Sequence, residues 1–185
     1  MKEIIKTLND HGVGIYDEKR SSFIACSAPI SSEEEAFNFI KDMKGWHKKA
    51  DHYVYAYTVY DEENALISRY SDDREPQGTA GQPILGVFQS QNIENAAIVV
   101  ARYYGGTPLG AAGLTRAYRK VAGIAVHESG IIHKVLYDEL FITMDYSMYN
   151  NVNYMLHSNT RADLMSLKYK IIQEEFGEKI RIHMY

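Results

Sequence analysis

Ala96-Ala97-Ile98-Val99-Val100-Ala101-Arg102-Tyr103-Tyr104-Gly105-Gly106-Thr107-Pro108-Leu109-Gly110-Ala111-Ala112-Gly113-Leu114-Thr115-Arg116-Ala117-Tyr118-Arg119 is the stretch on which the fold turns. Ala96 to Ala101 is apolar without a break, the pattern of a strand covered on both faces. Past the glycine-rich loop, Leu114, Ala117, Tyr118, Val121, Ile124 and Ala125 recur on one helical face, and Ser129-Gly130 closes that helix. The unit is therefore strand, glycine loop, helix. A second polar loop precedes it: Ser71-Asp72-Asp73-Arg74-Glu75-Pro76-Gln77-Gly78-Thr79-Ala80-Gly81-Gln82-Pro83. That loop is acidic, whereas no acidic residue lies between Arg102 and Lys120. Loops with this much chemistry usually contact something.

Working outward, His11 to Asp17 and Ser22 to Pro29 read as strands joined by the turn Glu18-Lys19-Arg20. Ser31 and Ser32 stand at capping-box spacing from Glu34 and Glu35, so a helix starts there. Its expected buried stripe is Ala36, Phe37, Ile40 and Met43, with Gly45 as its end. Tyr53 to Tyr60 and Ala65 to Tyr70 pair around Asp61-Glu62-Glu63-Asn64, and Gly81 to Gln89 is a short helix with Pro83 in its first turn. A second domain is expected from Lys134, with a strand over 136–145, a helix over 148–158, and strands over 164–172 and 179–185. This β-α-β-β order lacks the last helix and strand of a ferredoxin-like unit, which would leave a sheet edge exposed.

The chain of 185 residues, 45% hydrophobic and 24% charged, has the composition of one ordinary core, or one core plus a small second domain. A formal charge of -4 excludes a generally basic nucleic-acid binder but leaves room for a local basic face. The single cysteine, Cys26, suits a reducing cytoplasm, and its mid-strand position predicts an inert thiol. No apolar run reaches the length of a membrane span, and the N-terminus lacks a signal core. The expected location is cytoplasmic, without membrane association. Most of the 15 tyrosines are expected to be structural.

Several groups offer chemistry. Backbone N–H groups at the start of the helix after Gly105 and Gly106 suit an anion, and Arg102, Arg116, Arg119 and Lys120 favour one. The same glycines are equally consistent with a tight turn and close backbone approach, since neither a G-x-G-x-x-G nor a Walker motif is present. Asp72, Asp73 and Glu75 are open to three readings: oxygen ligands for a divalent cation, ion pairs to Arg102 or Arg116, or an acidic turn before a helix capped by Thr79. His52 begins the strand leading to the acidic loop, as a backbone-bonded histidine or as a general base oriented by Asp72 or Asp73. Trp46, His47, Lys48 and Lys49 form a small aromatic-basic patch of the kind that stacks single-stranded nucleic acid, or simply a helix end with favourable cations.

The segment Asp51-His52, Ser71-Asp72-Asp73 with Glu75-Pro76, Gly78-Thr79-Ala80-Gly81 and Pro83-Ile84-Leu85 resembles the first half of the Impact/YigZ family signature. Arg102-Tyr103-Tyr104-Gly105-Gly106, Leu109-Gly110, Gly113-Leu114 and Arg116-Ala117-Tyr118 resemble the second half. The order and spacing fit over about residues 11 to 130. Arg74 stands where the family usually has glycine, and Thr107-Pro108 replaces a pair that often ends in lysine. The resemblance implies an α+β chain of two domains. Residues 1–133 would form an Impact-type domain with a ribosomal-protein-like split β-α-β fold. Residues 134–185 would form a partial ferredoxin-like domain similar to one of elongation factor G. In eukaryotic relatives the family protein binds a translation-control activator, and because those relatives add a different N-terminal module the resemblance does not carry that partner over.

The function expected is a non-enzymatic, translation-linked binding protein, with no cofactor and no metal. Its partner would be the ribosome, RNA or a translation factor. The contact groove would place His52, Asp72, Asp73, Glu75 and Thr79 on one side and Arg102, Tyr103, Gly105, Gly106, Arg116 and Tyr118 on the other. The alternative is a hydrolase for a small anionic or peptide substrate, with His52 and the carboxylates doing proton transfer. A third possibility is that arginine and carboxylates form a network serving the fold alone.

Overall fold

The computed structural model describes residues 4–135, 139–157 and 170–184, and the chain divides into two compact units, 1–135 and 136–185. The first unit runs β1 (Ile4–Leu8), β2 (Gly12–Glu18), β3 (Ser21–Pro29), α1 (Glu33–Trp46), β4 (His52–Tyr60), β5 (Leu66–Ser71), α2 (Gly81–Gln91), β6 (Ala96–Tyr103), α3 (Gly110–Ser129) and β7 (Ile131–Val135). Five strands form an antiparallel sheet in the order β2-β3-β6-β4-β5, and β1 pairs with β7 in a separate ribbon. The strands β3 and β4 run parallel, joined by α1, with β6 inserted antiparallel between them. This is a split β-α-β arrangement. It explains the unbroken apolar run of β6, because Ala96, Ile98 and Val100 face the α2–α3 layer while Ala97, Val99 and Ala101 face α1.

Local chemistry sets the helix ends. Ser32 Oγ accepts from the Glu35 N–H at 3.1 Å, and the Glu35 carboxylate reaches back to the Ser31 N–H at 2.6 Å and the Ser31 hydroxyl at 2.9 Å. The buried stripe of α1 is Ala36, Phe39, Ile40 and Met43. Phe37 is exposed instead, its ring set edge-on against Tyr57, so Phe39 rather than Phe37 fills the core. The helix passes through Gly45 and ends where the His47 N–H bonds the Met43 carbonyl. In α3, Ala122 and Val126 join the buried face and Ile124 lies at its rim. The ribbon strands β1 and β7 escaped the sequence reading. They are five residues each, and their partners lie more than a hundred residues apart in sequence.

The second unit comprises β8 (Leu140–Met144), α4 (Tyr146–His157), β9 (Ile171–Phe176) and β10 (Ile180–Met184). Its sheet order β8-β10-β9 is antiparallel, so β10 splits the β8-α4-β9 pair as β6 splits the larger one. This is the order of the first three strands of a ferredoxin-like unit. Met144, Ile180, Ile182 and Met184 are buried, with Tyr149, Val152 and Leu156 of α4 packed on them. The expected strand 164–172 falls mostly on residues outside those described, and the strand seen there begins at Ile171. The α+β class and the split β-α-β arrangement expected from the sequence are both present.

Two glycines on β2 let α3 lie directly on the sheet. A Cβ on Gly12 would stand 2.1 Å from the Ala125 carbonyl oxygen, and one on Gly14 would stand 2.6 Å from that of Val121. Gly123, inside α3, has open space around it. Opposite effects are therefore expected from the same substitution. Gly12→Ala should lose about 1–3 kcal/mol of stability through overpacking. Gly123→Ala should gain roughly 0.5–1 kcal/mol from helix propensity. Denaturant titration of both variants checks the pair.

Candidate functional site

Alternation along β6 sends Arg102 to the α2–α3 side, into the core. Its side chain is 5% exposed and meets Glu75, 3% exposed, with Nη1 to Oε1 at 2.5 Å. The hydroxyl of Tyr118, fully buried on α3, donates to the same Glu75 oxygen at 2.6 Å. Nη2 of Arg102 reaches the buried Ser21 hydroxyl at 3.4 Å, and the guanidinium lies 5.4 Å from the ring centroids of Phe23 and Tyr104. One cation thereby ties β3, β6, α3 and the β5–α2 loop together. Burial and the adjacent Glu75 push the Tyr118 hydroxyl pKa far above the usual phenol range.

The acidic loop is held by its own carboxylates. Asp72 Oδ1 accepts from the Ala80 and Gly81 N–H groups at 3.0 and 2.8 Å, and Oδ2 accepts from Gly78 N–H at 2.8 Å. Asp72 therefore caps α2 from outside the helix. Thr79, expected as the cap, instead donates its hydroxyl to the Pro76 carbonyl at 2.6 Å. Asp73 Oδ2 accepts from the Tyr53 N–H at 2.7 Å, while its carbonyl accepts from His52 Nδ1 at 2.9 Å. The hydrogen-bond acceptor for His52 Nδ1 is thus a backbone carbonyl and not a carboxylate. Asp73 and Arg74 both take positive φ, 41° and 70°. A glycine in place of Arg74 would adopt this conformation without the ~1–2 kcal/mol cost of a left-handed side-chain residue. Among the described residues, no three His, Cys, Asp or Glu side chains are grouped to hold a metal.

The glycine loop is fixed from two sides. Gly105 lies against the β2–β3 turn so closely that a Cβ would sit 1.9 Å from the Arg20 carbonyl oxygen. Asp51 accepts from the Tyr104 N–H at 2.7 Å, while its own N–H bonds the Arg102 carbonyl at 2.8 Å. Gly106, at φ 81°, has nothing near its missing Cβ and faces open space. The first turn of α3 carries no acidic residue and no side-chain cap. Arg116, Arg119 and Lys120 are exposed on that helix, and Lys19 and Arg20 on the adjoining turn. Arg116 makes only a loose approach to Glu18, at 3.8 Å with its side chain 73% exposed. Tyr103 does not join this side. It points to the α1 face, where its hydroxyl meets His47 Nδ1 at 2.9 Å.

The structure thus brings Glu75, Arg102 and Tyr118 together as a buried centre and keeps Asp72, Asp73, Thr79 and His52 in the loop that surrounds it. Gly105, Gly106 and Arg116 lie on the basic surface outside. Ser21 and Phe23 stand in no sequence motif, and Asp51 enters only through the Asp51-His52 pair of the family signature. They belong to the centre only because strand pairing sets β3 beside β6 and brings Asp51 to the end of β6. Residues of these common types carry no sequence signal for that.

Tyr118 gives the centre a pH signature. Its folded pKa lies above the unfolded value, so the stability it contributes is complete below about pH 10 and falls as pH rises beyond it. Tyr118→Phe should cost about 1.5–3 kcal/mol near neutral pH, the range for a hydrogen bond to a charged group. It should also flatten the alkaline loss of stability. Urea titrations at pH 7 and pH 10.5 on both proteins measure the two effects.

The Impact N-terminal domain model matches residues 19–126, which hold the whole of this centre and its loops. IMPACT family member YvyE of Bacillus subtilis is 36% identical over 77% of this chain, which spans 64% of that protein's length, under two thirds of it. IMPACT family member YigZ of Escherichia coli is 30% identical over 75% of this chain and 68% of its own. A crystal structure described as that of a hypothetical protein superposes on all of this chain and 85% of its own, with a TM-score of 0.70 and 24% identity, a likeness of fold. The chain belongs to the Impact family, with an Impact N-terminal domain built around the Arg102–Glu75–Tyr118 centre.

Proposed function

We propose that this protein is a non-enzymatic, translation-linked binding protein that docks on ribosomal RNA through the basic surface around the glycine loop. The observation that carries this reading is the uncapped, acid-free start of α3. It opens beyond Gly106, with Lys19 and Arg20 exposed on the adjoining turn and Arg116, Arg119 and Lys120 exposed further along the helix. Free N–H groups at a helix start attract phosphate, and the nearby guanidinium groups add bidentate donors. Family membership and the resemblance of this sequence to translation-linked relatives supply the biological context. A ferredoxin-like second unit similar to one of elongation factor G fits the same setting, as does a cytoplasmic location. Among the described residues, no helix is long and apolar enough to cross a membrane.

The contact narrows relative to the groove first expected. Asp72 gives both carboxylate oxygens, and Asp73 and Glu75 one each, to backbone N–H groups, Arg102 and Tyr118, and His52 gives its Nδ1 proton to a carbonyl. These residues shape the surface and are not its contact groups. The hydrolase alternative needs a histidine oriented by a carboxylate, and no bond of that kind is made by His52.

Co-sedimentation with ribosomes tests the proposal. The wild-type chain should pellet at low salt and release as salt rises, with log K falling by about 0.7–0.9 per phosphate contact for each tenfold increase in salt. Arg116→Ala/Arg119→Ala should abolish pelleting while shifting stability by no more than about 0.5 kcal/mol, as expected of surface positions. Salt-insensitive pelleting, or pelleting unchanged in the double variant, would contradict the proposal.

A further inference from the structure

The sheet of the second unit has two edges, β8 and β9, and they are not alike. Strand β9 carries Glu174 and Glu175 in succession, and its register with β10 shifts at His183–Met184. Charge and irregular register both discourage a further strand from pairing there. Strand β8 has no charged residue, no proline and no register shift against β10. Among the described residues it pairs on one side only. Its outer row of backbone N–H and C=O groups is a template for another strand.

Alternation along β8 fixes what that strand would meet. Leu140, Ile142 and Met144 share the α4 face, where Met144 is buried and Leu140 is half exposed. Phe141 and Thr143 share the other face, flanked by Glu139 and Asp145, and all four are exposed. The Phe141 ring stacks on that of His183, its register partner on β10, with centroids 4.2 Å apart and planes 13° from parallel. One ring face is thus covered from β10. The other turns away from β10, over the edge of the sheet, and Phe141 is 68% exposed.

The strand already paired with β8 shows which chemistry β8 accepts. From Lys179 to Met184, basic residues Lys179, Arg181 and His183 alternate with Ile180, Ile182 and Met184. The apolar three are buried on the α4 face. On the open face Lys179 Nζ lies 3.7 Å from Asp145, and His183 Nε2 lies 3.7 Å from Glu139. The carboxylate side chains of Glu139 and Asp145 remain 63% and 68% exposed, with room for a further cation. The same charges disfavour a second copy of β8. With Ile142 set antiparallel against its own counterpart, Glu139 would face Asp145 at both ends of the pair.

We infer that the outer edge of β8 takes up an extended segment of a basic partner protein as an added strand, its basic and apolar residues in alternation. An arginine opposite Phe141 stacks on the outward ring face, and cations toward either end meet Glu139 and Asp145. The apolar residues of the segment extend the Leu140–Ile142 row. Main-chain hydrogen bonds supply the affinity and the alternating side chains supply the specificity, as in other strand additions. This edge lies in the second unit and uses no residue of the α3 surface, so it stands apart from the RNA reading above.

The test is fluorescence anisotropy of a labelled octapeptide of alternating arginine and valine with the full chain. The wild-type chain should bind it. Phe141→Ala should weaken binding about two- to five-fold, the effect of losing an exposed cation–π contact, and Phe141→Tyr should bind like wild type. Glu139→Lys/Asp145→Lys should weaken binding about five-fold or more, since both ends then repel the peptide. The same peptide methylated on every backbone nitrogen should not bind, because it has no N–H group to give to the ladder. Equal binding of the methylated and parent peptides would overturn the inference, leaving charge attraction alone. Wild-type affinity in both Phe141→Ala and Glu139→Lys/Asp145→Lys would overturn it by placing the peptide elsewhere. So would a concentration-dependent dimer that Leu140→Lys dissolves, because a second copy would then occupy the edge. No binding by the wild-type chain would overturn it outright.

Discussion

A charge pair with almost no access to water holds the first unit in its form. Burying a guanidinium and a carboxylate costs several kcal/mol per ion, and only close geometry with further hydrogen bonds offsets it. Glu75 has that geometry, taking both Arg102 Nη1 and the Tyr118 hydroxyl on one oxygen. Nε of Arg102 is buried with no hydrogen-bond partner, so the guanidinium depends on its remaining contacts, including the two aromatic rings beside it. The pair joins loop, strand and helix segments that lie up to 81 residues apart in sequence, as the Arg102–Ser21 separation shows. A hydrophobic isostere could fill the same volume, but it would not require the acidic loop to close over β6.

From this constraint the surface follows. With Glu75 drawn inward, Asp72 is positioned to cap α2, and Asp73 is positioned to hold β4 at Tyr53. Each acidic residue of the loop thus makes a contact within the first unit. Among the described residues, Arg116, Arg119 and Lys120 of α3 have no such partners, apart from the loose Arg116–Glu18 approach and the stacking of Lys120 on Tyr16. A chain of net charge -4 thus carries a group of exposed cations, Lys19, Arg20, Arg116, Arg119 and Lys120, on this turn and helix. Salt-screened attraction over about 10 Å at 0.1 M suits capture of a polyanion.

Much of this was legible in the sequence, and the exceptions have physical causes. The apolar run 96–101 announced a doubly covered strand, and the helical spacing of Leu114 to Ala125 announced α3, because both patterns are set by burial on a regular backbone. Pairing between Arg102 and the acidic loop was one of three readings, since composition places opposite charges near each other without choosing partners. The Phe37 to Phe39 exchange arose because both residues flank the same helical stripe, and only packing against β4 and β6 decides between them. Thr79 had the right residue type for a cap. Asp72 took the role because its two oxygens reach three N–H groups at once, a long-range geometry that local propensity does not encode. The β1–β7 ribbon depends wholly on partners distant in sequence.

A double-mutant cycle on Glu75→Leu and Arg102→Met addresses the central claim most directly. Each single variant strands a buried charge, and the double variant strands none. The account predicts single losses of about 3–5 kcal/mol and a double loss well below their sum, with a coupling of roughly 2 kcal/mol or more. Additive losses, or single variants as stable as wild type, would show that the pair does not hold the loops and would contradict the account.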